Sequence, residues 1–361
     1  MLLLFRPHFA GTAADACHVL SFTADPRGAV AVENVRRSRV RREHREMATD
    51  RLPRLLLAKE ASRLESDREL RAAFARGTVV RVRAGVYMTR DAWTALDGDA
   101  RYRAFVAATA RQSAPGTQFS HDSAAALWRL PTIGAWSPRA HVLGPIASGG
   151  RSSAGVKRHG IGLDEDAEEV DGVTVTSLAR TVLDVAMSAP FMRAVCMADD
   201  ALRDPEKGDF RFGRETPTRP ELRHLLQTRS DHRGAVRAGK VLDFADGLSE
   251  SAGESVSRVQ LHALGFPAPE LQVPFHDERG FIGCVDFYWR HLGLVGEFDG
   301  HVKYRNAVYL RGRLPEEVVI AEKEREDRIR RVTKGFVRWD WRTAMDRAAL
   351  AERVRAFGLV P

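Results

Sequence analysis

The stretch "GCVDFYWRHLGLVGEFDGHVK", residues 283–303, decides the architecture of the C-terminal third of the chain. Two apolar runs, "CVDFYW" and "LGLVGEF", flank a short turn, and such runs bounded by turn residues predict paired strands. Three carboxylates interrupt them: Asp286, Glu297 and Asp299. Side chains alternate along a strand, so Glu297 and Asp299 fall on one face, and a hairpin would bring Asp286 towards them. A carboxylate in a half-buried strand is costly unless it is paired or bound to a cation, and neighbouring acids raise that cost. Mg²⁺ (or Mn²⁺) takes hard oxygen ligands, and such an ion can activate water against a phosphodiester. Asp286, Glu297 and Asp299 are therefore the predicted metal ligands, with Glu254 on the preceding helix as a supporting acid. Lys303, with His301 and Lys323 as alternatives, would assist the attacking water or neutralise the phosphate. A structural reading stands beside this one: the acids lie at strand ends, paired with the many nearby arginines.

Outward from this hairpin, "ESVSRVQLHALG" (254–265) predicts a helix stopped by Gly265. "ELQVPFHD" predicts a strand before the hairpin, "PEEVVIAEKEREDRIRRVTKG" a long charged helix after it, and "FVRWDW" a closing strand. The order is α-β-β-β-α-β over 246–361. Residues 101–245 read as mixed α/β. Their helices are predicted at "RYRAFVAATARQS", "HDSAAALWRLP", "TSLARTVLDVAM", "RPELRHLLQ" and "GAVRAGKVLDFA". Strands are predicted at "RAHVLGP", "GVKRHGI" and "VDGVTVTS", and residues 204–221 read as a polar linker. Residues 47–100 read helix, helix, hairpin: "RLPRLLLAKEASRL", "SDRELRAAFARG" and "TVVRVRAGVYM", with Ala84-Gly85 as the turn. This is the pattern of a winged helix, with Arg68, Arg71, Arg76, Arg81 and Arg83 as its DNA-contacting residues. Alternation would put Arg81 and Arg83 on one strand face. The first 46 residues open on an apolar run, Leu2 to Phe5, too short for a signal segment, and end in the basic stretch "AVENVRRSRVRREHRE"; they read as a disordered arm or as an over-extended start, with Met47 the alternative first residue.

The whole composition agrees with these predictions. A net charge of +8 favours polyanionic partners, DNA first. Three dispersed cysteines give no metal or disulfide framework, and no apolar run is long enough for a membrane helix, which together suggest the cytoplasm. "HVLGPIASGGRSS" lacks the lysine of a phosphate-binding loop. His121, Ser123 and Asp184 lack a nucleophile elbow, so His121 is expected to cap or pack at the start of its helix. No H-E-x-x-H occurs among the 12 histidines.

Two resemblances sharpen the functional expectation. "VDFYW", "LVGEFDGHVKY" and "EKEREDRIRRVTKGFVRWDW" resemble the endonuclease-like domains related to very-short-patch repair endonucleases, of the wider PD-(D/E)XK fold, over about 250–342. The resemblance implies a restriction-endonuclease-like domain and metal-dependent hydrolysis by Asp286, Glu297 and Asp299. The chain departs from the pattern in having Asp299 where a strict motif has lysine, and Lys303 near the usual histidine. "RGTVVRVRAGVYM", "SHDSAAALWRLP" and "VDGVTVTSLARTVLDVA" resemble AbiEi-type antitoxins over about 50–190. That resemblance implies a winged-helix repressor and a separately encoded toxin partner. The second functional expectation is accordingly a non-enzymatic regulator with a silent nuclease-like domain.

Overall fold

The computed structural model describes residues 54–57, 67–146, 152–203, 216–300 and 315–361. At the N-terminal end, Val79–Arg83 (β2) and Val86–Thr89 (β3) pair antiparallel around Gly85, whose φ of +73° suits the turn. Leu56–Leu57 (β1) adds to the free edge of β3, giving the order β1-β3-β2. This corrects the expected helix over 51–64 at Leu56–Leu57; its residues 51–53 and 58–64 lie outside the described residues. Leu57 is buried with Val86 and Ala108, and that tertiary pairing outweighs the local helical pattern. The helix Asp67–Ala75 (α1) ends before Gly77, at φ +75°, as its sequence predicts.

Arg90–Ala95 (α2) and Gly98–Ala110 (α3) lead into the middle region. There His121–Leu127 (α4) precedes a parallel pair, Ala140–Leu143 (β4) and Val156–His159 (β5). Glu168–Val170 (β6) and Val173–Val175 (β7) form a hairpin over Asp171 and Gly172, both at positive φ. Phe119 bridges Val142 and Val175, linking the two pairs. Leu178–Ser188 (α5) starts at Ser177, whose side chain accepts from the Arg180 N–H. Phe191–Ala201 (α6), Arg219–Gln227 (α7) and Ala235–Phe244 (α8) complete a core centred on Trp128, whose indole N–H donates to the Thr176 carbonyl.

The C-terminal region follows the expected order. Ala252–Ala263 (α9) precedes Glu270–Asp277 (β8), Gly280–Trp289 (β9) and Leu294–Asp299 (β10), which are antiparallel neighbours. Pro315–Val332 (α10) then crosses to Gly335–Asp340 (β11), parallel to β10. The sheet order is β11-β10-β9-β8. One apolar cluster joins Phe287, Trp289 and Trp339 to α9 and to Arg347–Arg355 (α12), which follows the short helix Trp341–Met345 (α11). Another joins Val285, Val295 and Phe336 to Ile329 of α10. Gly296 is required between them, since a Cβ there would sit 2.7 Å from the Trp339 ring.

Residues 52–361 form one compact unit. The expected boundary at 245/246 is a packed junction: Cys196 of α6 shares a cluster with Val256 of α9, and Arg258 donates to buried Asp199 at 2.7 Å. No helix among the described residues is long and apolar enough to cross a membrane.

Candidate active site

Glu254 occupies the third position of α9, and much of its setting is helix capping. Ser251 accepts from the Glu254 N–H at 3.2 Å, and its hydroxyl donates to Glu254 Oε1 at 2.7 Å. The Glu250 N–H donates to Oε2 at 2.8 Å. Helix α9 lies so close to β10 that a Cβ at Gly253 would fall inside the Phe298 ring, so Gly253 fixes how far Glu254 reaches over the sheet. Glu254 is 5 % exposed. Burial, and then the charge of Asp286, push its pKa up to about 7.

Asp286 lies where β9 and β10 part. Their paired register ends at Gly296 with Phe287, and the Asp286 side chain takes over from the backbone, accepting the Phe298 N–H at 2.8 Å. Phe287 and Trp289 join the α9 side of the sheet, whereas Val285 joins the α10 side, so the strand changes face at Asp286. Opposite it, Gln272 has φ +49°, a sparsely populated conformation for a residue with a side chain. The Gln272 amide donates to Glu254 Oε2 at 3.2 Å and to Asp286 Oδ1 at 3.4 Å. It thus stands between two acids that would otherwise repel. A divalent cation could replace this weak neutralisation: two carboxylate oxygens and, after an amide flip, the Gln272 carbonyl make a hard-oxygen donor set suited to Mg²⁺.

The remaining predicted residues divide. Glu297 is buried but held by arginines: Arg325 donates to Oε1 at 2.8 Å and Arg338 to Oε2 at 2.6 Å. Glu322 and Glu326 of α10 extend this into a network. Arg325 also donates to the Cys284 carbonyl, filling the gap left where β10 departs from β9. Asp299 ends β10 half-buried, in register with Asp340 of β11. Lys323 is exposed on α10, and Lys303 and His301 lie outside the described residues. The structure therefore brings Asp286 to Glu254 and Gln272, while Glu297 is occupied by Arg325 and Arg338.

Of the predicted DNA-contacting arginines, Arg68, Arg71, Arg76 and Arg81 are exposed, and Arg81 lies 5.9 Å from the Phe74 ring. Arg83 does not share Arg81's outward face. A bulge between Arg81 and Arg83 turns it onto α3, where it donates to Thr109 Oγ1 at 2.9 Å and Gln112 Oε1 at 3.0 Å.

One constellation was not foreseen. Among the described residues, the group of three or more His, Cys, Asp or Glu whose ligand atoms all lie within 4.8 Å of one another is His121, His141 and His159. They come from the start of α4, from β4 and from the end of β5. Burial lowers the pKa of all three, of His141 to about 4 and of His159 to about 3. Ser123 does not bond His121; its hydroxyl contacts the Tyr102 hydroxyl and accepts the His141 backbone N–H. The sequence signal was one histidine in or beside each of three successive apolar elements, "SHDSAA", "RAHVLG" and "VKRHGI".

No family model matches this chain. The chain is similar to two uncharacterized proteins of Mycobacterium tuberculosis, MT2308 and Rv2248, at 34 % identity over 132 residues in each case. The match covers 37 % of this chain and 45 % of each relative, so the chain spans less than half the length of the curated relatives it matches.

Proposed function

We propose that the protein binds DNA and hydrolyses phosphodiesters with Mg²⁺ or Mn²⁺ at a site centred on Glu254 and Asp286. One observation carries this reading: buried Glu254 and half-buried Asp286, from different elements, meet across Gln272 at the point where the sheet opens. When bound, the metal would supply water activation and charge stabilisation. Glu254, Asp286 and the Gln272 carbonyl would hold it. Lys303, just beyond β10, and Asp299 at its end are the proposed assisting residues. The α-β-β-β-α-β order supports a restriction-endonuclease-like domain, in keeping with the resemblance to very-short-patch repair endonucleases. The exposed Arg68, Arg71, Arg76 and Arg81 beside a three-stranded sheet support a winged-helix DNA contact.

Supercoiled plasmid incubated with Mg²⁺, Mn²⁺ or EDTA tests the activity. Metal-dependent nicking absent from Asp286→Ala and Glu254→Gln is expected; equal nicking by all three proteins would attribute it to a contaminant.

A second reading rests on Glu297. Two arginines neutralise it, as befits a structural ion network. A nuclease-like domain silenced in this way would leave an AbiEi-like repressor, with a toxin as partner. Under that reading sequence-specific DNA binding survives Asp286→Ala and no nicking occurs.

A further inference from the structure

We propose that His121, His141 and His159 form a binding site for a divalent transition metal ion of the zinc class, separate from the carboxylates. The geometry begins with His141 Nδ1 and His159 Nε2, which lie 3.1 Å apart. Two nitrogens bound tetrahedrally to one zinc, each at roughly 2.0–2.1 Å, are about 3.3 Å apart, so this pair is already spaced to share an ion. The outer nitrogen of His141, Nε2, is held by Ser137 Oγ at 2.9 Å, which leaves Nδ1 as the inward ligand atom. His121 is arranged in the same sense. Its Nδ1 faces Ser120 Oγ at 3.0 Å and Asp184 Oδ2 at 3.8 Å, leaving Nε2 for the ion. A metal-bound histidine commonly has such an outer partner, which fixes its tautomer and orientation.

Asp184 strengthens the assignment. It is 2 % exposed, Arg180 donates to its Oδ1 at 2.8 Å, and its Oδ2 has no hydrogen-bond partner. A metal on His121 Nε2 would fix the proton on Nδ1, the nitrogen nearest that carboxylate oxygen.

The His121 and His159 rings stack at 3.7 Å with planes 12° apart. Parallel rings do not aim two in-plane lone pairs at one point, so His121 must tilt about its side chain as the ion enters. His159 is only partly buried, which gives the ion a route in. Three imidazoles without a carboxylate ligand favour zinc, cobalt or nickel over magnesium. Bound metal would tie the start of α4 to the parallel pair β4 and β5.

Cobalt titration of untagged, EDTA-treated full-length protein tests this by visible absorbance, with Zn²⁺ as competitor. One Co²⁺ per chain, with the intense bands of a four-coordinate ion displaced by Zn²⁺, is expected. His159→Gln and His141→Asn should each weaken binding by more than the roughly 10–100-fold that loss of an outer partner costs, and Ser137→Ala by less. Asp286→Asn should bind Co²⁺ here unchanged, so failure of the nuclease reading leaves this result standing. A spectrum no different from aqueous Co²⁺, or one unaltered in both folded histidine variants, would overturn the proposal.

Discussion

Replacing Glu254 by glutamine should make the protein more stable above neutral pH and leave it unchanged in acid. The Glu254 pKa rises from an ordinary 4.5 to about 7 in the folded chain. An acid so raised favours folding while it is protonated. Its contribution is fully present below pH 4.5 and is lost as pH rises through 7. The shift of roughly 2.5 units corresponds to about 3 kcal/mol, reached as a plateau above pH 7. Glutamine preserves the local bonding. Its oxygen can accept from Glu250 N–H and the Gln272 amide, while its own amide donates to Ser251, whose hydroxyl is free to turn. Urea unfolding of both proteins at pH 4, 5, 6, 7 and 8, without divalent metal, gives the difference directly. The curves should coincide at pH 4 and separate to about 3 kcal/mol at pH 8, with the variant the more stable. Saturating Mg²⁺ should raise only the wild type at pH 8, by about 2.7 kcal/mol at 100 times its Kd. Curves that stay parallel at every pH would refute the burial argument, and with it the claim that this acid is held ready for a cation.

Other perturbations test the surrounding structure. Gly253→Ala should lower the melting temperature, because its Cβ has no room against Phe298; overpacking of this kind costs about 1–3 kcal/mol. Arg258→Ala should cost about 3–5 kcal/mol in urea unfolding, since it strands the fully buried Asp199 carboxylate. Arg81→Ala should reduce the salt dependence of DNA binding by roughly one counterion. Arg83→Ala should leave that slope unchanged and instead lower stability, because its guanidinium is engaged by Thr109 and Gln112.

Much of the fold could be read from periodicity and turn residues. The C-terminal α-β-β-β-α-β order and the hairpin at Ala84-Gly85 follow from local chemistry, and each is in place. Leu56–Leu57 was misassigned because a two-residue edge strand has no periodicity of its own; its partner β3 lies 29 residues later and alone decides it. Helix α6 was passed over although its residues pack into two clusters, for a run without a capping residue gives no start signal. At the site, the sequence placed Asp286 and Glu254 in one domain but could not show that Gln272 joins them, since that contact depends on a strained φ in β8. It offered Glu297 as a ligand because alternation fixes a face and is blind to arginines arriving from α10 and β11. The three histidines went unassembled for the same reason: their meeting is set by parallel pairing of β4 with β5, not by spacing along the chain.

The cation at Glu254 and Asp286 is most directly tested by Mn²⁺ binding to the full-length protein, followed by electron paramagnetic resonance at pH 8. The wild type should bind one Mn²⁺ that Mg²⁺ displaces. Asp286→Asn and Glu254→Gln should each lose it, while His159→Gln should keep it. Mn²⁺ that remains fully free with the wild type, or that binds Asp286→Asn as well as the wild type, would contradict the account and leave these acids a structural pair in a DNA-binding regulator.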